Sequence, residues 1–408
     1  MRANGQRPVA YGYDTASRLT QVAQGTLAVG LGYDNANRRT SLTYPNGTST
    51  SYGYDVASRL TGITHTRPSG IIEALTYQYD AGGSRTSLTR NNATASVLPA
   101  AVASATYDPA NEQTTFSGAT LQYDANGNLT NDGANMYVWD SRNRLVSMSG
   151  SATANFNYDA LGRRTNKTIN GVASQFIYDR SNIVAEIGGG AVGASYLRSL
   201  NIDEPFIRQS GIGNEYYHSD ALGSALVLSN AQGNSTANYT YEAFGKTTVT
   251  GANGNPFQFT GRENDGIGIY YYRARYYHPR IQRFINEDPI GLRGGINLYS
   301  YASQNPLMFR DPMGLIDLGN TFDALTNVFS VSGEGEYYGS AIGGAIGFVA
   351  FTPFGPVASV AGAIVGAGTG GILGSAFDNP CAGQLNCQEV VPLIIGDRPK
   401  NPPTGGRK

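Results

Sequence analysis

The sequence predicts a mainly β protein, a sheet of stacked antiparallel hairpins that ends in an apolar, glycine-rich helical hairpin. Three observations carry that prediction. A Tyr-Asp pair (once Trp-Asp) returns about every 20 residues, a period typical of repeat arrays. Charged residues are only 14% of the 408-residue chain while Gly reaches 53 and Tyr 27, a balance that favours strands and tight turns over helices. From Tyr337 to Phe377 the chain carries no charge at all, and glycines recur at four-residue spacing.

The repeat comes first. Its aspartates are Asp14, Asp34, Asp55, Asp80, Asp108, Asp124, Asp140, Asp159 and Asp179, and most units read aromatic-x-Tyr-Asp, as in "YGYD", "YQYD" and "FNYD". Residues two apart in a strand share a face, so the two bulky side chains lie together. The Asp then ends the strand by accepting backbone N–H groups two residues on, and Gly, Asn or Ser follow in the turn. Stacking of neighbours hides aromatic faces that a lone hairpin would leave wet. These aspartates are read as turn formers, because a catalytic group is not needed nine times.

This pattern resembles the YD repeats of the RHS (rearrangement hotspot) family. The resemblance implies a spiralling sheet that forms part of a hollow shell wall, here a partial one over residues 1–215.

After Asp179 the pattern loosens, with "DALGS" and "NAQGN" as turns. The stretch Phe259 to Leu315 follows, dense in Tyr and Arg. Its "GIYYYRARYYHP", "QRFINEDPIG", "GGINLYSYASQNP" and "DPMGL" resemble, in order, the RHS repeat-associated core domain, which assigns 216–315 to that domain. The resemblance implies an aspartyl-type self-cleavage centre with Asp288 and Asp311 as its carboxylates, Arg283 in support, and a cut between Leu315 and Ile316. Two carboxylates held close would share one proton, one acting as base on water while the other polarises the peptide. An Asp-Pro pair equally suits an ordinary turn. Two departures from the family pattern are His278, where Asp is usual, and Gln282, where Gly is usual and φ > 0 is expected.

Residues 316–408 form a variable C-terminal segment. Gly343 and Gly347, then Gly362, Gly366, Gly370 and Gly374, make the small-xxx-small ridge of membrane helices, and "PFGP" separates two arms within 339–377. Either this glycine zipper is a membrane-active cargo, or it is a hydrophobic stub.

Composition excludes several classes. With 29 Lys+Arg against 30 Asp+Glu, no field favours nucleic acid. No cofactor or metal site is evident, and Cys381 and Cys387, a local bridge or two free thiols, lack a His beside them. "MRANGQRPVAYGYD" has no apolar core behind its arginines, so the expected location is secreted or surface-bound and bacterial, reached without an N-terminal signal peptide.

The combined expectation is the C-terminal part of an RHS-type polymorphic toxin. Its own C-terminal segment is the cargo; a delivery apparatus, the missing shell portion, an immunity protein and a target membrane are the implied partners. The competing readings are a non-enzymatic surface or carbohydrate-binding wall and an inert remnant of a longer gene.

Overall fold

The computed structural model describes residues 8–92, 104–252, 254–315 and 318–319; the glycine-rich hairpin expected at 339–377, both cysteines and Ile316 lie outside them. The chain runs as an antiparallel meander in which each strand pairs with its sequence neighbour. An eight-stranded sheet extends from Val9–Tyr13 to Arg85–Arg90, and a fourteen-stranded sheet from Gln122–Tyr123 to Thr247–Gly251. A three-stranded sheet over Ala105–Tyr107, Gln113–Phe116 and Ala119–Thr120 lies between them in sequence. Neither large sheet closes into a barrel, since its first and last strands each have one ladder neighbour.

The turn behind "YDTASR" is the same in most units. Asp14 Oδ1 accepts from the backbone N–H of Ala16 (3.0 Å) and Arg18 (2.9 Å), and Oδ2 accepts from Arg18 Nε at 2.7 Å. The third residue after the Asp takes a positive φ, as Ser17, Asn37, Ser58, Gly83, Asn143 and Gly162 do, which explains the Gly, Asn and Ser there. The strand slips register at the Tyr itself, a bulge seen for instance between Gly12 and Tyr13 that turns the ring toward the next hairpin.

Each hairpin then grips the next. Arg18 stacks over the Tyr33 ring at 5.2 Å and its Nη1 donates to the Asp34 carbonyl at 2.9 Å; the Tyr33 hydroxyl donates back to the Leu19 carbonyl at 3.0 Å. The same Arg-on-Tyr stacking links Arg38 to Tyr54, Arg59 to Tyr79, Arg144 to Tyr158 and Arg163 to Tyr178. Trp139 takes the tyrosine's place without losing the bond, its Nε1 donating to the Leu129 carbonyl at 2.8 Å.

The repeat also runs further than the Tyr-Asp pairs suggest. Asp220 closes a turn of the same backbone pattern, as do Asn230 and Glu242 with Asn or Glu in place of Asp. Asp179 departs from it: it pairs directly with Asn182 across a two-residue turn at Arg180 and Ser181.

The two large sheets pack face to face through side chains. Leu19, Val22, Val29, Leu31 and Leu42 of the first meet Leu197, Phe206, Ile207 and Tyr216 of the second. Ile63, Leu75 and Tyr77 join the larger core with Tyr196, Tyr217, Leu228 and Tyr239. The interior here is filled by apolar and aromatic groups, whose burial drives the docking.

After Gly251 the chain changes character. Glu263–Asn264, Tyr270–Tyr272, Arg275–His278 and Arg283–Phe284 form a small four-stranded sheet, and much of the rest is turns. Its Tyr270, Tyr272, Tyr277, Phe284 and Tyr301 are buried in the same core as the walls.

Candidate functional site

The residues that converge are set by one tight hairpin. Tyr270–Tyr272 and Arg275–His278 are joined through Arg273, which takes φ 61°, and Ala274. That turn sends Arg273 and Arg275 to the same backbone segment, Pro312 to Leu315. Arg275 Nε donates to the Gly314 carbonyl at 2.6 Å, its Nη1 to the Leu298 carbonyl at 2.9 Å, and its ring-facing side lies 3.6 Å from the Phe284 centroid. Gly314 (φ 69°) has no room for a side chain against the Tyr272 carbonyl, so the segment lies flat on the hairpin.

The two expected carboxylates meet at this arginine. Arg275 Nη2 stands 2.9 Å from Asp288 Oδ2 and 3.2 Å from Asp311 Oδ2. Asp288 is 6% exposed and Asp311 not at all. Asp311 Oδ1 accepts from the Leu315 N–H at 2.9 Å, which fixes the last described peptide before Ile316. Asp288 Oδ1 accepts from the Ile290 N–H at 3.0 Å. A β-carbon on Gly294 would overlap Asp288 Oδ2 and lie 3.1 Å from the Leu315 carbonyl oxygen. Both oxygens therefore lie close beside the exposed Gly294.

Arg283 is placed elsewhere. Its Nη1 donates to the Asn111 carbonyl at 2.8 Å and its guanidinium stacks on Tyr107 and Tyr299. It anchors the core to the Asp108 hairpin, and the cation between the carboxylates is Arg275. The sequence offers "YYYRARYY" without saying which arginine turns inward; only the two-residue hairpin decides it. Gln282 takes φ 63°, so the conformation expected of the usual Gly is kept by a residue that strains to hold it. His278 is buried, with Nε2 3.5 Å from Asp132 Oδ2, another link between core and wall.

Further buried charges tie core to wall. Arg164 pairs with Glu263 at 2.8 Å and Asp265 at 2.5 Å. These networks are fully desolvated, so removing one partner leaves the other charge buried and unpaired. Among the described residues no cluster of side chains could hold a metal ion, and no helix is long and apolar enough to cross a membrane.

Tandem Tyr-Asp hairpins feeding a Tyr- and Arg-rich core define the class: a YD-repeat wall protein. The Teneurin YD-shell family model matches residues 46–307, and the chain belongs to that family. It is similar to the tRNA3(Ser)-specific nuclease WapA of Bacillus spizizenii, at 30% identity over 62% of this chain and 11% of that protein. It is also similar to Toxin protein Tse5 of Pseudomonas aeruginosa, at 29% identity over 49% of this chain and 19% of Tse5. The chain thus spans a fifth or less of these relatives' length. Among solved structures, the Photorhabdus luminescens Tc holotoxin pore with mutated TccC3 aligns over 81% of this chain and 20% of that one, with TM-score 0.57 and 19% identity. That likeness establishes the fold.

Proposed function

We propose that this chain is the C-terminal wall and core of an RHS-type polymorphic toxin, and that the core cuts its own backbone between Leu315 and Ile316 to free the C-terminal segment. The observation that carries this reading is the meeting of Asp288, Asp311 and Arg275 on the Leu315 peptide. Relatives named as toxins and nucleases favour the same assignment. A delivery apparatus, further shell, an immunity protein and a membrane target for the cargo belong to this proposal, as does export.

The roles of the two carboxylates differ. Arg275 stands between them, so its charge offsets part of their repulsion. Asp288 borders the Leu315 carbonyl and acts as base: it takes a proton from water as the water oxygen adds to the carbonyl carbon. The bond to the Ile316 nitrogen then breaks, and that nitrogen receives the proton. Asp311 orients the peptide through the Leu315 N–H, and Arg275 holds the Gly314 carbonyl. The principal gain is that the base and the preceding Gly314–Leu315 peptide are held in fixed positions.

Denaturing gels of the full chain and two variants test it. Asp288→Asn should leave the chain whole. Asp311→Asn should cut roughly 100-fold more slowly, since the amide oxygen still accepts from Leu315 but no longer balances Arg275. Wild-type cutting that persists unchanged in both variants would refute the assignment.

A further inference from the structure

The proposed cut is gripped from the wall as well as from the core. Asp203 lies in the turn between strands Ala191–Arg198 and Pro205–Ser210 of the fourteen-stranded sheet, at φ 61° and 2% exposed. Its carboxylate accepts a two-pronged pair from Arg273, Nη2 to Oδ1 at 2.6 Å and Nη1 to Oδ2 at 3.0 Å, and a third bond from Arg262 Nη1 at 2.7 Å. Burial pushes this carboxyl up, but Arg262 and Arg273 outweigh it and hold it down at about 2. A second wall turn completes the grip: the Ser181 carbonyl accepts from Arg273 Nε at 3.0 Å, and Asn182 Oδ1 from Arg273 Nη2 at 3.2 Å.

The held guanidinium is the one that reaches the cleavage segment. Arg273 Nη1 donates to the Pro312 carbonyl, while the neighbouring Ala274 N–H donates to the Met313 carbonyl at 3.2 Å. Arg273 Nη1 therefore serves both partners, pairing with Asp203 of the wall and donating to the turn that leads to Leu315, while Nε and Nη2 hold the second wall turn. A guanidinium has a fixed planar fork, so fixing one edge fixes the other.

We propose that Asp203 is a positioning residue for the cut: through Arg273 it sets the Pro312–Leu315 segment against Asp288, so cleavage awaits docking of the wall turns on the core. This rests on the cleavage reading above and adds an order of events. Wall assembly precedes release, and a chain whose wall is unfolded keeps its C-terminal segment attached.

The test is the cleavage rate of the full chain in pulse-labelled cell-free translation, read as the fraction cut over time. Asp203→Asn should slow cutting at least 20-fold. Glu204→Gln, which breaks the adjacent buried pair with Arg39 and leaves Arg273 untouched, should stay within twofold of wild type. In an Arg273→Gln background, Asp203→Asn should add less than a further twofold, because both changes break one link. A purely stabilising Asp203 would instead give multiplying losses and a matching loss in Glu204→Gln; either outcome overturns the proposal, as does near-wild-type cutting by Asp203→Asn. If Asp203→Asn does not fold, Asn182→Ala serves: it removes one neutral bond to Arg273 and should slow cutting three- to tenfold, and an unchanged rate counts against the proposal. A wild-type chain that never cuts would sink the cleavage reading itself, a result distinct from these.

Discussion

Asp140 shows what one aspartate does in this fold. Its Oδ1 accepts from the Arg142 N–H (2.9 Å) and the Arg144 N–H (3.0 Å), and its Oδ2 accepts from Arg144 Nε (2.8 Å). Replacing it with Ala removes these bonds and loosens Arg144 from Tyr158, at a cost of about 1–2 kcal/mol by urea unfolding. Asp179→Ala, outside that turn type, should change stability by less than about 0.5 kcal/mol. Gly294→Ala should stop the proposed cut, because the new methyl would overlap Asp288 Oδ2 and push that carboxylate away from Arg275 and the Leu315 carbonyl, and denaturing gels of the variant check it. The turn role of the repeat aspartates was legible in sequence, since Asp14 and Arg18 lie within one turn and recur. Stacking of Arg18 on Tyr33 was not, because it joins different hairpins. Asp288 and Asp311 were marked as candidates by the resemblance of the core motifs, since an Asp-Pro pair alone suits a turn, whereas Arg275, Gly294 and Asp203 were not marked: nothing local shows the direction of an arginine, an absent side chain or a remote turn.

At the scale of the element, the hairpin turn tolerates substitution unevenly. Gly162 sits at φ 81° with open space around its α-carbon, so Gly162→Ala meets only backbone strain, about 1 kcal/mol. Gly127 has φ 73° as well, but the Tyr299 hydroxyl donates to its carbonyl at 2.8 Å and both Tyr299 and Glu287 crowd its α-carbon. Gly127→Ala should therefore lower the melting temperature clearly more than Gly162→Ala, and equal shifts would mean that this turn does not carry the core. Hairpin existence and turn chemistry followed from the Tyr-Asp spacing. The turn at Asn230 was legible as "NAQGN", whereas the one at Glu242 escaped because its first residue is not Asp or Asn, though its backbone bonds are the same.

The whole wall depends on the seam between the two large sheets. There the Tyr44 hydroxyl donates to the Tyr217 carbonyl at 2.9 Å, Arg90 Nη1 reaches the Tyr239 carbonyl at 3.2 Å, and His65 packs on His218 with ring centroids 5.2 Å apart. Burial pulls His65 down to about 4. Unfolding exposes it to its ordinary value near 6.5, so the unfolded chain binds the proton more readily. Stability from the neutral ring is complete above about pH 6.5 and is lost as pH falls toward 4, by roughly 3 kcal/mol for this residue. Melting curves at pH 7.5 and 5 should show about 2 kcal/mol of that loss from His65, and His65→Gln should reduce the pH dependence without abolishing it, because burial also holds the neighbouring His218 well below its ordinary value. No sequence pattern revealed this seam, since it joins strands more than a hundred residues apart.

The central claim, hydrolysis of the Leu315–Ile316 bond by the core, is tested most directly by an intact-mass spectrum of the full chain made in water enriched in oxygen-18. The account predicts two fragments, the first ending at Leu315 and carrying one heavy oxygen in its new carboxylate. A single uncut chain, or a cut at any other bond, would contradict it.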